Sequence, residues 1–396
     1  MDKIEELLTK GVDKIYPSKE ELEKVLRSGR KLKLYQGFDP TGDKLHIGHM
    51  VGLRKLRQWQ DLGHHVIFLI GDGTGQAGDP KKTSREKVFT RDELKKNAVD
   101  YVRQAGKIVR FEGENPVEVL FNGDWLNKLN LVDLLNIAGH FSLQQLSERD
   151  LFQERIKNNE PVNLREFLYP LLQGYDSVAM NVDLEVGGSD QTFNMLCGRT
   201  LLKSIKNKEK FVMTTPLLTD ANGVKIGKSE GNAIAITDEP EMLFGKIMKL
   251  PDEVIKTGFE YLTDIKTDDI NATDKDIAKD PMKYKKRLAF EIITQLNSQN
   301  EAEKAQLNFE SIIQDKETPK DMPIIEYPEE KIINIIDLLT TFSLAKSRSA
   351  AKQLITQNGV SINGETIHGY EIKIKNNDIL KVGRSFRRIK VKVKIK

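Results

Sequence analysis

Two histidines three residues apart, His46 and His49, stand where the chain changes from a strand-like to a helix-like pattern. Leu32, Leu34 and Phe38 give the apolar part of a strand, and Asp39-Pro40-Thr41-Gly42-Asp43 is dense in turn and N-cap residues. From Leu45 to Trp59 there is no proline, and Leu45, Val51, Leu53, Leu56 and Trp59 recur near helical spacing. A helix starting here carries both imidazoles on one face of its first turn. Its free backbone N–H groups and the positive end of its dipole lie in the same place, which suits a phosphate. Gly48 leaves no side chain beside the rings, so a flat base could approach the backbone. A metal pair is the other chemistry open to two such histidines. The chain has only six His and one Cys, and no third ligand stands nearby.

Other stretches could build a pocket around that point. In Phe167-Leu168-Tyr169-Pro170-Leu171-Leu172-Gln173-Gly174-Tyr175-Asp176, a helix sets Tyr169, Gln173 and Asp176 at i, i+4 and i+7. A phenol, an amide and a carboxylate on one face make a polar pocket wall; the alternative is an ordinary amphipathic helix. Asp190 and Gln191 follow Leu184-Glu185-Val186-Gly187-Gly188, at the carboxyl end of a short strand. Open α/β sheets bind ligands at that end; a plain β-turn is the alternative. Gly73-x-Gly75-x-x-Gly78 matches a dinucleotide fingerprint, but Asp79-Pro80 and a charged run follow, so no helix opens there. Gly223-x-x-x-Gly227-Lys228-Ser229 is one residue short of a P-loop, and Gly231 and Asn232 follow it where a helix should.

The elements that must position these residues alternate. Lys31 to Phe38 is a strand, and His65-Val66-Ile67-Phe68-Leu69-Ile70 is a continuous apolar run suited to a sheet buried on both faces. Strand, helix, strand in about forty residues is a nucleotide-binding βαβ unit. Residues 1–30 read as packing helices, and residues 90–165 as a helical interruption of the alternation. Met213 to Leu218 is a last short strand, and Glu239 to Gln314 is helical and charged. Pro319, Pro323 and Pro328 mark a linker. Beyond it, Ala345 to Ile355 is a basic helix carrying Lys346, Arg348 and Lys352, and Val360 to Ile367 is a hairpin on Asn363-Gly364. Ile389 to Lys396 alternates apolar residues with lysines.

Composition narrows the class. The 396 residues hold material for two or three domains. A single cysteine, Cys197, allows no intrachain disulfide and fits a reducing cytoplasm. The charged start has no signal-peptide core, and no apolar run approaches membrane-spanning length. The net charge of +3 is unevenly spread. From Ser343 onward there are 13 Lys and Arg against 3 Asp and Glu, a net +10 that leaves −7 for the rest. A basic module on an acidic body suits a polyanionic partner.

The residues also carry a resemblance. His46-Ile47-Gly48-His49 resembles the HIGH signature of class I aminoacyl-tRNA synthetases, and Tyr35-x-Gly37-Phe38-Asp39-Pro40-Thr41 resembles its tyrosyl form. Lys225-Ile226-Gly227-Lys228-Ser229 resembles the KMSKS loop; Ile226 and Gly227 depart from Met and Ser, while both lysines and the last serine are kept. The likeness covers nearly the whole chain. It implies a Rossmann-like α/β catalytic domain with a parallel sheet over residues 1–232. A connective insertion falls at about 80–185 and the KMSKS-like loop at 222–232. It further implies a helical domain over 233–317, a linker over 318–330 and a small S4-like α+β RNA-binding domain over 331–396. The implied activity joins L-tyrosine to tRNA(Tyr) with ATP and Mg²⁺, in a cytoplasmic homodimer, with no dedicated protein site for the metal.

The resemblance also assigns roles. Tyr169, Gln173 and Asp79 would face the ammonium group of tyrosine, Gln191 would touch the same substrate, and Tyr35 and Asp176 would meet its hydroxyl. Phenylalanine would then leave Tyr35 and Asp176 unpaired, and an acceptor at that depth favours tyrosine over tryptophan. Gly37, Asp39, Gly48, Gly188, Asp190 and Lys228 would hold ATP, with Asp190 on the ribose. Thr41, His46, His49, Lys225, Lys228 and Ser229 would stabilise the reacting phosphates. Lys346, Arg348, Lys352, Arg387 and Arg388 would grip RNA. Two rivals remain from the residues alone: a nicotinamide dehydrogenase on the glycine-rich stretch, and an RNA-binding protein that kept the fold without the ligase activity.

Overall fold

The computed structural model describes residues 2–42, 44–78, 89–148, 150–219, 226, 233–265, 274–311, 322–327, 332–383 and 385–391. The chain forms two compact units, Met1–Gln306 and Leu307–Lys396.

The first unit is built on six strands: β1 (Lys14–Tyr16), β2 (Lys33–Phe38), β3 (His65–Ile70), β4 (Glu118–Phe121), β5 (Leu184–Gly188) and β6 (Phe211–Thr215). They lie in the order β1-β6-β5-β2-β3-β4; all neighbours are parallel except β1, which runs against β6. From β2 the chain winds outward through β3 to β4, then crosses back to β5 on the other side. The order therefore reverses between β2 and β5, and a cleft opens there at their carboxyl ends. Both faces of β3 are covered: Val66 to Ile70 are buried throughout, which is why that run lacks alternation.

The helix of the signature, Ile47–Asp61, leaves β2 after the Asp39-Pro40 turn and buries Met50, Val51, Leu53, Leu56 and Trp59. The helix Leu164–Met180 packs against the helix Thr192–Lys206 through small residues. A Cβ on Gly174 would meet the backbone N of Gly198 at 3.1 Å, so this crossing needs glycine.

Two local details go beyond the sequence pattern. The mostly helical stretch 90–165 also supplies Glu118–Phe121, the edge strand β4. Four residues with no alternation leave too short a pattern to read; pairing with β3 decides their state. Within the glycine-rich stretch, Thr74–Ala77 forms a single helical turn closed by Gly78 at φ +81°.

In the second unit, β7 (Ile324–Tyr327), β8 (Ile332–Asn334), β9 (Val360–Ile362), β10 (Glu365–Thr366), β11 (Glu371–Lys373), β12 (Ile379–Val382) and β13 (Ser385–Val391) surround the helices Ile335–Thr341 and Arg348–Thr356. The main sheet runs β10-β9-β12-β13-β7, and β8 pairs with β11. The stretch that reads as a linker thus supplies β7, parallel to β13. The hairpin turns at Asn363 and Gly364, both at positive φ, as a two-residue Asn-Gly turn requires. Ile389 and Val391 face the core, with Ile336, Leu339, Ala351 and Leu380, while Lys390 is exposed. This small, half-open β module is S4-like.

Candidate active site

His46 is the N-cap of the signature helix and His49 its third residue. The Nδ1 of His46 accepts from the Gly48 N–H at 3.2 Å, and the Nδ1 of His49 accepts from the His46 N–H at 3.2 Å. With Nδ1 an acceptor on both rings, each neutral imidazole carries its proton on Nε2. The rings lie 3.9 Å apart between centroids. The first-turn N–H groups, which the sequence leaves open for a phosphate, are taken. Gly48 N–H goes to His46, Ile47 N–H to the Ile234 carbonyl at 2.9 Å, and His49 N–H to the His46 carbonyl at 2.8 Å. The imidazoles, not the amides, are what this helix start can offer an anion.

Space beside Gly48 is also tight. A Cβ there would lie 3.0 Å from the His46 ring and 3.3 Å from the Ile226 carbonyl oxygen. Ile226 is buried, and its N–H reaches the Leu218 carbonyl at 2.8 Å. Beyond it, Ala235 bridges His46, and the Ile236 N–H reaches the Leu45 carbonyl at 3.1 Å. Ile226, inside the second lysine-bearing motif, and residues 234–236, after it, therefore lie beside the first. Lys225, Lys228 and Ser229 lie outside the described residues, as does Asp79.

The polar face of Leu164–Met180 turns toward the cleft. Tyr169 OH donates to Asp39 Oδ2 at 3.0 Å, and Thr74 Oγ1 donates to Asp39 Oδ1 at 2.7 Å. Gly71 permits this, because a Cβ on it would sit 1.8 Å from Asp39 Oδ1. Asn194 donates from one Nδ2 to Gln173 Oε1 at 3.0 Å and to Gln191 Oε1 at 2.7 Å, joining two of the expected tyrosine contacts. Asp190 is exposed beyond Gly188, whose Cβ would lie 2.6 Å from Asp190 Oδ1. Thr41, whose N–H turns back to the Asp39 carbonyl at 2.7 Å, follows β2, and Gly37 is exposed near the end of that strand.

At the deep end the structure departs from expectation. Tyr35 and Asp176 are both buried, but neither waits for a ligand to supply its only partner. Asp176 accepts from Asn122 Nδ2 at 3.1 Å and from Trp125 Nε1 at 2.8 Å. Tyr35 OH pairs with Ser177 Oγ at 2.9 Å. Burial pushes the Asp176 carboxyl well above the usual carboxylate range, against the pull of its two N–H donors. Burial likewise raises the Tyr35 phenol well above 10, helped by the charges of Glu185 and Asp176, so the phenol keeps its proton.

The sequence reading missed Asn122, Trp125, Glu185, Asn194 and Lys210. Asn122 stands just past β4 and ties the Gly73 and Thr74 amides to Asp176. Lys210 and Glu185 form an ion pair with no solvent contact worth the name, at 1% and 2% exposure. One sign was available: Lys210 directly precedes Phe211-Val212-Met213, and Glu185 stands between Leu184 and Val186.

In the second unit, Lys346, Arg348 and Lys352 are exposed on and before one helix, and Arg387 and Arg388 are half-buried on β13. Arg348 is paired with Asp337.

Comparison with known proteins fits this geometry. A family model described as tRNA synthetases class I (W and Y) matches residues 27–314, and the chain belongs to that family. A second, the SYY-like C-terminal domain of tyrosine–tRNA ligase, matches residues 314–384. The tyrosine–tRNA ligase of Dehalococcoides mccartyi is 40% identical over 388 residues, 97% of each chain. That of Thermotoga maritima is 39% identical over 391 residues, 97% of this chain and 96% of its own. Among solved structures, a C-terminally truncated mitochondrial tyrosyl-tRNA synthetase of Coccidioides posadasii superposes with a TM-score of 0.64 at 26% identity, covering 78% of this chain and 92% of that one. The tyrosyl-tRNA synthetase of Archaeoglobus fulgidus, solved with L-tyrosine, shares the fold with a TM-score of 0.59 at 21% identity, covering 77% of this chain and all of the other.

Proposed function

We propose that this chain is a tyrosine–tRNA ligase. It activates L-tyrosine with ATP and passes the tyrosyl group to the 3′ end of tRNA(Tyr). What supports the reading is that the paired rings of His46 and His49 and the buried Tyr35 and Asp176 are all carried by elements that adjoin the switch point between β2 and β5.

In the first step the tyrosine carboxylate attacks the α-phosphorus of ATP; a carboxyl O–P bond forms and the P–O bond to pyrophosphate breaks. The carboxylate is already ionised at neutral pH, so no general base is needed. Catalysis then rests on positioning and on charge stabilisation at the phosphates. Thr41 and the Nε2 protons of His46 and His49 donate to phosphate oxygens as charge builds on them. Lys225, Lys228 and Ser229 hold the departing pyrophosphate. Asp190 takes the ribose hydroxyls, with Gly37, Asp39, Gly48 and Gly188 lining the nucleotide's path. Tyr169, Gln173, Gln191 and Asp79 face the amino acid's ammonium end. In the second step a ribose hydroxyl of the tRNA end attacks the adenylate carbonyl and AMP leaves.

ATP enters with Mg²⁺ on its phosphates; among the described residues no cluster of His, Cys, Asp and Glu forms a cage for a metal. A second copy of the chain would cover Leu131, Val132, Leu135, Leu143 and Leu164, which are 60–74% exposed. Lys346, Arg348, Lys352, Arg387 and Arg388 would meet the tRNA backbone. Among the described residues no helix is long and apolar enough to cross a membrane, and the single cysteine, Cys197, is buried. Exchange of labelled pyrophosphate into ATP tests the reading: it should depend on tyrosine and be far weaker with phenylalanine or tryptophan. Exchange with tryptophan and none with tyrosine would overturn the assignment.

A further inference from the structure

The ion pair of Lys210 and Glu185 lies under the amino-acid slot, and four elements of the fold converge on it. Lys210 stands just before β6, Glu185 is in β5, Ser177 is in the helix Leu164–Met180, and Tyr35 is in β2. All four side chains are 0–2% exposed. The Lys210 ammonium donates to Glu185 Oε2 and to Ser177 Oγ, the latter at 2.8 Å. Ser177 Oγ in turn touches Tyr35 OH at 2.9 Å. The other Glu185 oxygen, Oε1, accepts from Gln173 Nε2 at 3.1 Å. Through Asn194 the chain of bonds continues to Gln191. One unbroken polar path therefore runs beneath the slot, from Gln191 and Gln173 at one end to Tyr35 at the other.

Space has been left for this pair. A Cβ on Gly198 would sit 2.6 Å from Lys210 Nζ, 2.8 Å from Ser177 Oγ and 3.4 Å from Glu185 Oε2. The ammonium fills the place a side chain would take on the facing helix. Burying two charges is costly, and apolar residues of equal volume are often as stable or more so. Packing therefore does not account for the pair; the fixed direction of its hydrogen bonds does.

We propose that Lys210 and Glu185 are positioning residues that fix Tyr35, through Ser177, and Gln173, directly, and thereby set the preference for a hydroxylated side chain over phenylalanine. This rests on the tyrosine–tRNA ligase reading. A wild-type enzyme with no tyrosine-dependent exchange would defeat that reading by itself, before any variant is compared.

The test uses full-length Lys210→Met, Glu185→Gln, the double Glu185→Gln/Lys210→Gln, and Gly198→Ala, which keeps every charge but displaces Nζ. Exchange kinetics are measured with tyrosine and with phenylalanine, normalised to folded protein, alongside melting temperature. Each single variant should raise KM for tyrosine about tenfold or more and lower the tyrosine-to-phenylalanine ratio by a similar factor. KM for ATP should stay within about threefold. The double variant, neutral and still hydrogen-bonding, should recover most of the loss. If Lys210→Met does not fold, Gly198→Ala carries the same expectation. Variants that melt lower yet keep wild-type KM for tyrosine and wild-type discrimination would show the pair to be structural only, and the proposal would fall.

Discussion

Asn122 makes four side-chain hydrogen bonds at the site, so its removal is a stringent trial of the geometry. Its Oδ1 accepts from the Gly73 N–H at 2.7 Å and the Thr74 N–H at 3.3 Å. Its Nδ2 donates to Thr74 Oγ1 at 2.9 Å and Asp176 Oδ2 at 3.1 Å. The side chain is 1% exposed, so water cannot replace these partners cheaply. Asn122→Ala loses one bond to a carboxylate, worth about 1.5–3 kcal/mol, and leaves the short Gly73 contact unmade at about 1 kcal/mol or more. The longer contacts add less. A total of about 3–5 kcal/mol should lower Tm by roughly 5–8 °C for a unit running from Met1 to Gln306, at about 2.1 cal/mol/K of unfolding entropy per residue. Asn127→Ala, at an exposed position a few residues on, should change stability by no more than about 0.5 kcal/mol. Calorimetry on both variants, with KM for tyrosine from exchange kinetics, decides the matter. If Asn122→Ala melts within about 2 °C of wild type and binds tyrosine normally, the Asn122–Asp176 link is not holding the slot, and the reasoning fails.

Three further outcomes are expected. Lys228→Ala should slow adenylate formation far more than it weakens tyrosine binding, measured by rapid quench and equilibrium titration; equal losses would give that loop another role. Lys346→Glu/Lys352→Glu should leave pyrophosphate exchange intact and weaken tRNA charging, with a shallower dependence of tRNA affinity on salt; unchanged charging would remove these residues from the RNA grip. Burial holds the His64 imidazole down at about 4 against an ordinary 6.5, and its Nδ1 accepts the Leu32 N–H at 3.0 Å. The unfolded imidazole takes its proton first as pH falls, so this contribution to stability is complete above about 6.5 and fades as pH drops through about 4. Denaturant midpoints across that window should therefore fall more steeply for wild type than for His64→Gln, and parallel curves would contradict the assignment.

What could be read in the sequence follows from how locally each feature is encoded. The turn Asp39-Pro40-Thr41-Gly42, the apolar β3 and the Asn363-Gly364 hairpin are written in neighbouring residues, and each is found where its chemistry puts it. The helical face of Tyr169, Gln173 and Asp176 is periodicity alone. Trp125, Asn122 and the partners of Tyr35 are not local: Asp176 finds Trp125 across 51 positions and Asn122 across 54. Lys210 ends a stretch containing Lys203, Lys206, Lys208 and Glu209, which reads as a solvated surface; only the approach of Gly198 and Glu185 makes it interior. The helix start was misread for a similar reason, because the carbonyl that takes the Ile47 N–H belongs to Ile234, far along the chain.

That last contact sets a leash. Ile226 rests against Gly48, and Ile234 is bonded to Ile47. The two tethers lie eight positions apart in sequence yet meet adjacent residues of one helix start. The first turn that holds the paired imidazoles is therefore clamped from outside by chain far from it in sequence. Loosening either tether would shift the imidazoles without touching a single charge.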